Sequence, residues 1–168
     1  STRKESSAAS DVYKRQAQKF ALIDMEYILK NIPAYQSASN ELNQVSKQWQ
    51  NEVEKLGKEA KSLYDSYQAS VKTLSDAQKT KKEEEIVAKE KSAAELRRKY
   101  FGPEGELFKK REALMQPIQD EIYEAVKAIS TQKGYAVVVD RASASSIIFA
   151  SPNIDISNEV LAKLGYSN

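Results

Sequence analysis

The chain has 168 residues, enough for one ordinary domain, with 26 Lys and Arg against 24 Asp and Glu and a formal net charge of +2. That near balance argues against nucleic acid or an anionic membrane as the main partner. Cys and His are both absent, which excludes a disulfide framework, a thiolate metal site and the usual near-neutral imidazole base or ligand.

Leu, Ile, Val and Phe are sparse, charged residues make up 30% of the chain and mean hydropathy is −0.64. Such a composition fits either disorder or a long Ala-, Glu- and Lys-rich helix, and periodicity separates the two in favour of helix. No apolar run reaches the length of a membrane span. Residues 1–19 hold almost no large apolar side chain and are expected to be a disordered tail. The chain begins with Ser rather than Met, as expected if an upstream segment was removed as a secretory signal or, equally, replaced by a cloning scar.

Phe20 to Met25 supplies a short buried strand, with Leu22, Ile23 and Met25 as core residues. Glu26 to Ile32 reads as one or two helical turns, and Pro33 suits the first turn of a long helix. From there Leu42, Val45, Trp49, Val53, Leu56, Ala60, Leu63, Tyr67, Val71 and Leu74 recur at spacings of three and four, a narrow coiled-coil seam. Two capping boxes follow, Ser75–Gln78 and Thr80–Glu83, so the tip of a hairpin is placed within 71–80. The returning segment, 80–96, is poor in apolar residues and should form the looser half of the hairpin.

Gly102, Pro103 and Gly105 interrupt the returning helix. Counting back from a tip near residue 79 sets Gly102 opposite Gly57, and two weak points at one level suggest either an arm hinge or a plain kink. Helix resumes from Leu107 and stops at Lys133–Gly134. Val137, Val138 and Val139 lie in a second strand, and Ile147, Ile148 and Phe149 in a third. Ser157 to Leu164 is a last short helix.

The expected fold is α+β, a small β-sheet body of three short strands per chain with a long antiparallel α-helical coiled-coil hairpin arm. The body comprises 20–32 plus 134–168 and the arm 33–133, with breaks near 57 and 102–105. So small a sheet is marginal alone, so completion by oligomerisation is expected; a monomer steadied by the hairpin root is the alternative. Residues 72–101 carry nine basic against six acidic side chains. These read as a solvated helix surface or as weak attraction toward acidic partners. Lys72, Lys79, Lys81, Lys82, Arg97, Arg98, Tyr100 and Phe101 are the candidate contacts with such partners, although some arm aromatics should pack between helices. No catalytic constellation or phosphate-binding loop is visible, so an enzyme is not expected and no cofactor or metal is implied.

The ordered combination of segments resembles the Skp (OmpH-like) periplasmic chaperone family across about 20–165. The segments that carry it are Ala21–Met25 with Ile32–Pro33, Leu74-Ser-Asp76 with Lys82–Glu85, Gly105-Glu-Leu107, Pro117-Ile118, Gly134–Asp140 and Asp155-Ile-Ser157. The resemblance implies a homotrimer whose helical arms enclose a cavity. Unfolded outer-membrane proteins would be held there without nucleotide, in the periplasm, with indirect contact to the membrane surface or lipopolysaccharide. Family members are often strongly basic, and this chain departs from that in being nearly neutral. A coiled-coil spacer or scaffold without chaperone activity is the competing function.

Overall fold

The computed structural model describes residues 19–166; the expected tail 1–19 lies outside them apart from Lys19, which opens a strand. The order of elements is β1 (Lys19–Ile23), α1 (Met25–Lys30), α2 (Pro33–Ser70), α3 (Asp76–Phe101), α4 (Glu106–Lys133), β2 (Tyr135–Asp140) and α5 (Ser157–Lys163), with 3-10 turns at Val71–Thr73 and Pro152–Ile154. The chain divides into two compact units, residues 19–36 with 117–166, and Ser37–Gln116. The first takes in the C-terminal half of α4 as well as the strands.

In the sheet unit, β1 and β2 pair in parallel, with Phe20 opposite Val137, Leu22 opposite Val139 and Ile23 opposite Asp140. The other edge of β1 is met by Asp155, and the Ile156 N–H donates to the Leu22 carbonyl at 2.8 Å. Below this lies a core of Ala21, Leu22, Ile28, Ile122, Ile129, Ile156 and Val160, all buried. The sequence makes α1 start where it does because the Asp24 carboxylate accepts from the Tyr27 N–H at 3.1 Å and caps the first turn. The same residue's N–H donates to the Ser157 hydroxyl at 2.8 Å, tying the start of α5 to the end of β1. Asp140 accepts from the N–H groups of Met25 and Ala142, each at 3.0 Å. Gly134, at φ 75, ends α4 in the left-handed region that glycine tolerates.

Two expectations for this unit are corrected. Met25 is not a strand residue: the Asp24 cap turns the backbone into α1 one residue earlier. Ile147, Ile148 and Phe149 form no strand in this chain; they lie in irregular backbone, Ile148 and Phe149 being 101% and 84% exposed. A strand needs a ladder partner, and none of the described residues supplies one.

In the hairpin unit the predicted seam is observed, since every residue of the stripe from Leu42 to Leu74 is buried or half-buried. Across it α2 and α3 run antiparallel. Glu59 accepts from Lys89 at 2.6 Å, Tyr67 donates to Glu83, and Trp49 stacks on Tyr100. These pairs are placed symmetrically about residues 74–75, where the turn lies. Ser75 and Gln78 form a reciprocal capping box that starts α3. Thr80 therefore caps nothing and sits inside α3, correcting the second capping box. The returning helix is as thin in core as expected, with Ile86 its one buried residue among those described.

The register moves the weak points apart. Gly57 lies level with Ala93 and Ala94 rather than with Gly102, and α2 passes through it without interruption. The expected break at Gly57 is thus absent: a lone glycine weakens a helix but removes none of its hydrogen bonds. At 102–105 the chain does leave the helix. Gly102 caps α3, its N–H donating to the Arg98 carbonyl at 2.8 Å, and the Gly105 N–H donates to Gly102 at 2.9 Å. Glu104, at φ 56, takes the left-handed turn.

Candidate functional site

Among the described residues no His, Cys, Asp and Glu cluster marks a site, and the candidate site is surface. In the sheet unit Phe20 is 53% exposed and Val137 43%, on paired strands, and Ile148 and Phe149 are freer still. Val138, Val139 and Ile147 are half-buried, while Leu22 and Ile23 are buried in the unit's own core. Two strands cannot cover an apolar face of this kind, and exposed apolar residues on an unpaired sheet edge are the usual mark of an association surface.

In the hairpin unit the cationic candidates lie along α3 and its preceding turn. Lys72, Lys81, Lys82, Arg97 and Arg98 are exposed, and Lys79 is half-buried in the first turn. Lys82 approaches Glu85 at 3.7 Å, an exposed pair of little energetic weight. The Lys89 ammonium beside Glu59 holds that carboxyl below the usual range through a hydrogen bond.

Tyr100 is half-buried and engaged on two sides. Its ring lies flat on Trp49, with centroids 4.6 Å apart, and its hydroxyl donates to Glu52 at 2.5 Å. That hydrogen bond, with lesser desolvation, raises the phenol above its ordinary pKa. Phe101 meets Tyr100 edge-on at 6.3 Å. Tyr100 is therefore a packing residue between α2 and α3, the fate expected for some of the arm aromatics, and its engaged ring and hydroxyl weaken its candidacy as a partner contact. Trp49 was legible as a seam residue, but its partner was not: the turn at 74–75 lies within the expected 71–80, and counting from residue 79 shifted the register.

The arm break is built from close contacts. A Cβ on Gly102 would collide with the Arg98 carbonyl, and one on Gly105 would come within 2.9 Å of the Lys99 and Gly102 carbonyls. Pro103 is exposed and Gly105 buried. Gly57 differs, as a Cβ there would meet nothing within 4 Å.

Among the described residues no group of His, Cys, Asp and Glu is placed to hold a metal, and no helix is long and apolar enough to cross a membrane.

Comparisons with known proteins agree with this architecture. The family profile of OmpH-like outer membrane proteins matches residues 19–164. The chain is 23% identical over 151 residues to the chaperone protein Skp of Yersinia enterocolitica, covering 89% of this chain and 87% of that one. It is likewise 23% identical over 153 residues to Skp of Pectobacterium atrosepticum, covering 88% and 86%. A crystal structure of an OmpH-like protein from Caulobacter crescentus CB15, named as an outer membrane chaperone, superposes with a TM-score of 0.69 at 13% identity, covering 88% of this chain and 83% of the other. The long helices and small parallel sheet are the α+β fold of that group. The chain belongs to the OmpH-like family, whose members are chaperones of the Skp type and not enzymes.

Proposed function

We propose that this protein is an ATP-independent holdase of the periplasm, which binds unfolded outer-membrane proteins between helical arms and keeps them from aggregating. The observation that carries this reading is the contrast between the two units. The sheet unit presents Phe20, Val137, Ile148 and Phe149 uncovered around an open two-stranded sheet, as expected of one share of an oligomer. The hairpin unit presents a seam of buried and half-buried residues, thin on the α3 side, under a charged surface, suited to many weak contacts rather than one tight one. A holdase needs that, because each tight contact would slow release. The strands of three copies would complete one body, as the family resemblance implies. Contact with the membrane surface or lipopolysaccharide, if made, would be indirect.

The test is dilution of a urea-unfolded outer-membrane β-barrel protein into buffer with and without this chain. Near-stoichiometric protection from light scattering without nucleotide is expected. Scattering unchanged by the chain would favour a passive coiled-coil spacer.

A further inference from the structure

Gly57 presents a physical puzzle. A glycine in a helix interior weakens the helix relative to alanine, and here neither of the usual reasons for one applies. Its backbone is ordinary helix, and a Cβ would meet nothing in the chain within 4 Å. What it does is deepen a groove between α2 and α3. The groove encloses about 520 Å³, and its lining residues include Val53, Gly57, Ala93 and Ala94, with Lys58, Lys61 and Arg97 around them. Among the described residues these three cations form no ion pair, whereas Lys82, Lys89, Lys91 and Lys110 each do. Glu54 is the one acidic side chain in the lining.

We infer that this groove seats an extended acidic segment of a bound polypeptide, its backbone lying close over Gly57 and its carboxylates reaching Lys58, Lys61 and Arg97. The inference rests on the holdase reading for the source of that segment. Charge decides the occupant's sign: three unpaired cations and one carboxylate favour an anionic chain, and Arg97 can bind a carboxylate through two parallel N–H donors. Shape decides its kind. The groove is partly open to solvent and ringed by charged side chains, so an acyl chain would be only partly desolvated in it, whereas a peptide backbone is narrow and needs a floor without large side chains. The near-neutral chain overall makes a duplex nucleic acid a poor fit.

The test uses the full chain and a short fluorescein-labelled peptide of Glu, Ala and Gly, followed by anisotropy, beside a counterpart with Lys in place of Glu. Gly57→Leu fills the groove with a good helix former, and Arg97→Glu reverses its rim. Each should weaken binding of the acidic peptide by about tenfold or more, equivalent to about 1.4 kcal/mol. Gly57→Ala should raise the melting temperature and weaken binding by about threefold, less than Gly57→Leu, because its methyl lifts the bound backbone off the groove floor. The Lys peptide should bind far more weakly than the Glu peptide. Equal affinity of Gly57→Leu and the unaltered chain would overturn the inference. So would equal binding of the two peptides, or variants that lose binding to phosphatidylglycerol vesicles while keeping the peptide. Protection of an unfolded β-barrel protein with no effect of the groove variants on peptide binding would sink the groove and spare the holdase. Peptide binding that follows the variants without protection of that client would do the reverse.

Discussion

Trp49 and Tyr100 lie face to face with an interplanar angle of 4°, fastening α2 to α3 one residue before α3 ends. An offset aromatic pair adds about 1 kcal/mol beyond the area it buries. Trp49→Ala removes the pair and a half-buried ring together and should destabilise the hairpin unit by about 2 kcal/mol, read as a lower urea midpoint. Trp49 is the chain's single tryptophan, so Tyr100→Ala should shift its fluorescence to longer wavelength. Tyr100→Phe keeps the ring and deletes the hydroxyl that binds Glu52, and the spectrum should then hold.

The glycines of the arm should separate by substitution. Gly102→Ala drives a methyl into the Arg98 carbonyl and should cost about 1 to 3 kcal/mol. Gly57→Ala meets nothing and should stabilise by up to about 1 kcal/mol. Glu104→Gly, at a positive φ, should be neutral or stabilising by up to about 1 kcal/mol, since glycine carries no Cβ strain there. Thermal melts of the three variants check the order.

Acid should weaken the hairpin unit through Glu59. Its carboxyl is held below the ordinary range by Lys89. The stability it contributes is therefore fully present above the unfolded-state value of about 4.3 and is lost as pH falls through the lower folded-state value. Glu26, hydrogen-bonded to Lys30, acts in the same direction in the sheet unit. Lys133, raised by Glu159, contributes below the ordinary lysine range and loses that contribution as pH climbs through its raised value. With no histidine in the chain, stability should be flat between about pH 6 and 8. Urea midpoints against pH for the native chain and for Glu59→Gln should differ in slope only on the acid side.

Assembly should depend on the exposed residues after β2. If Ile148 and Phe149 meet other copies, the pair of changes Ile148→Ser and Phe149→Ser should lower the native mass toward the 18.9 kDa of one chain and leave the circular dichroism of the helices unchanged. A native mass that the double change does not move would remove these residues from the interface.

The seam from Leu42 to Leu74 was readable in sequence because burial on one helix face demands apolar residues every three or four positions, whatever lies opposite. The caps at Ser75 and Gly134 were readable because their chemistry is local. What could not be read was set by partners distant in sequence. Thr80–Glu83 matches a capping box as well as Ser75–Gln78 does, and only the earlier one was used. That difference of a few residues moved the register, parted Gly57 from Gly102 and concealed the pairing of Trp49 with Tyr100. Ile147 to Phe149 has the composition of a strand, but composition cannot provide the neighbouring backbone that a strand needs. The groove at Gly57 was invisible for the same reason, because it exists only once α3 lies beside α2.

More than a hundred residues separate β1 from β2, although the two strands are direct neighbours. Closing a flexible loop of that length would oppose pairing by an entropy on the order of 4 kcal/mol. The hairpin reduces this, because helices folding back about residues 74–75 bring the two ends together through local steps. Reach and strand pairing are thereby uncoupled. Seven residues removed from α2 and seven from α3, at equal distances from the turn, would preserve the seam and shorten the hairpin by about 10 Å. The length of the arm can then change in matched heptads over evolution while β1 and β2 keep the same register.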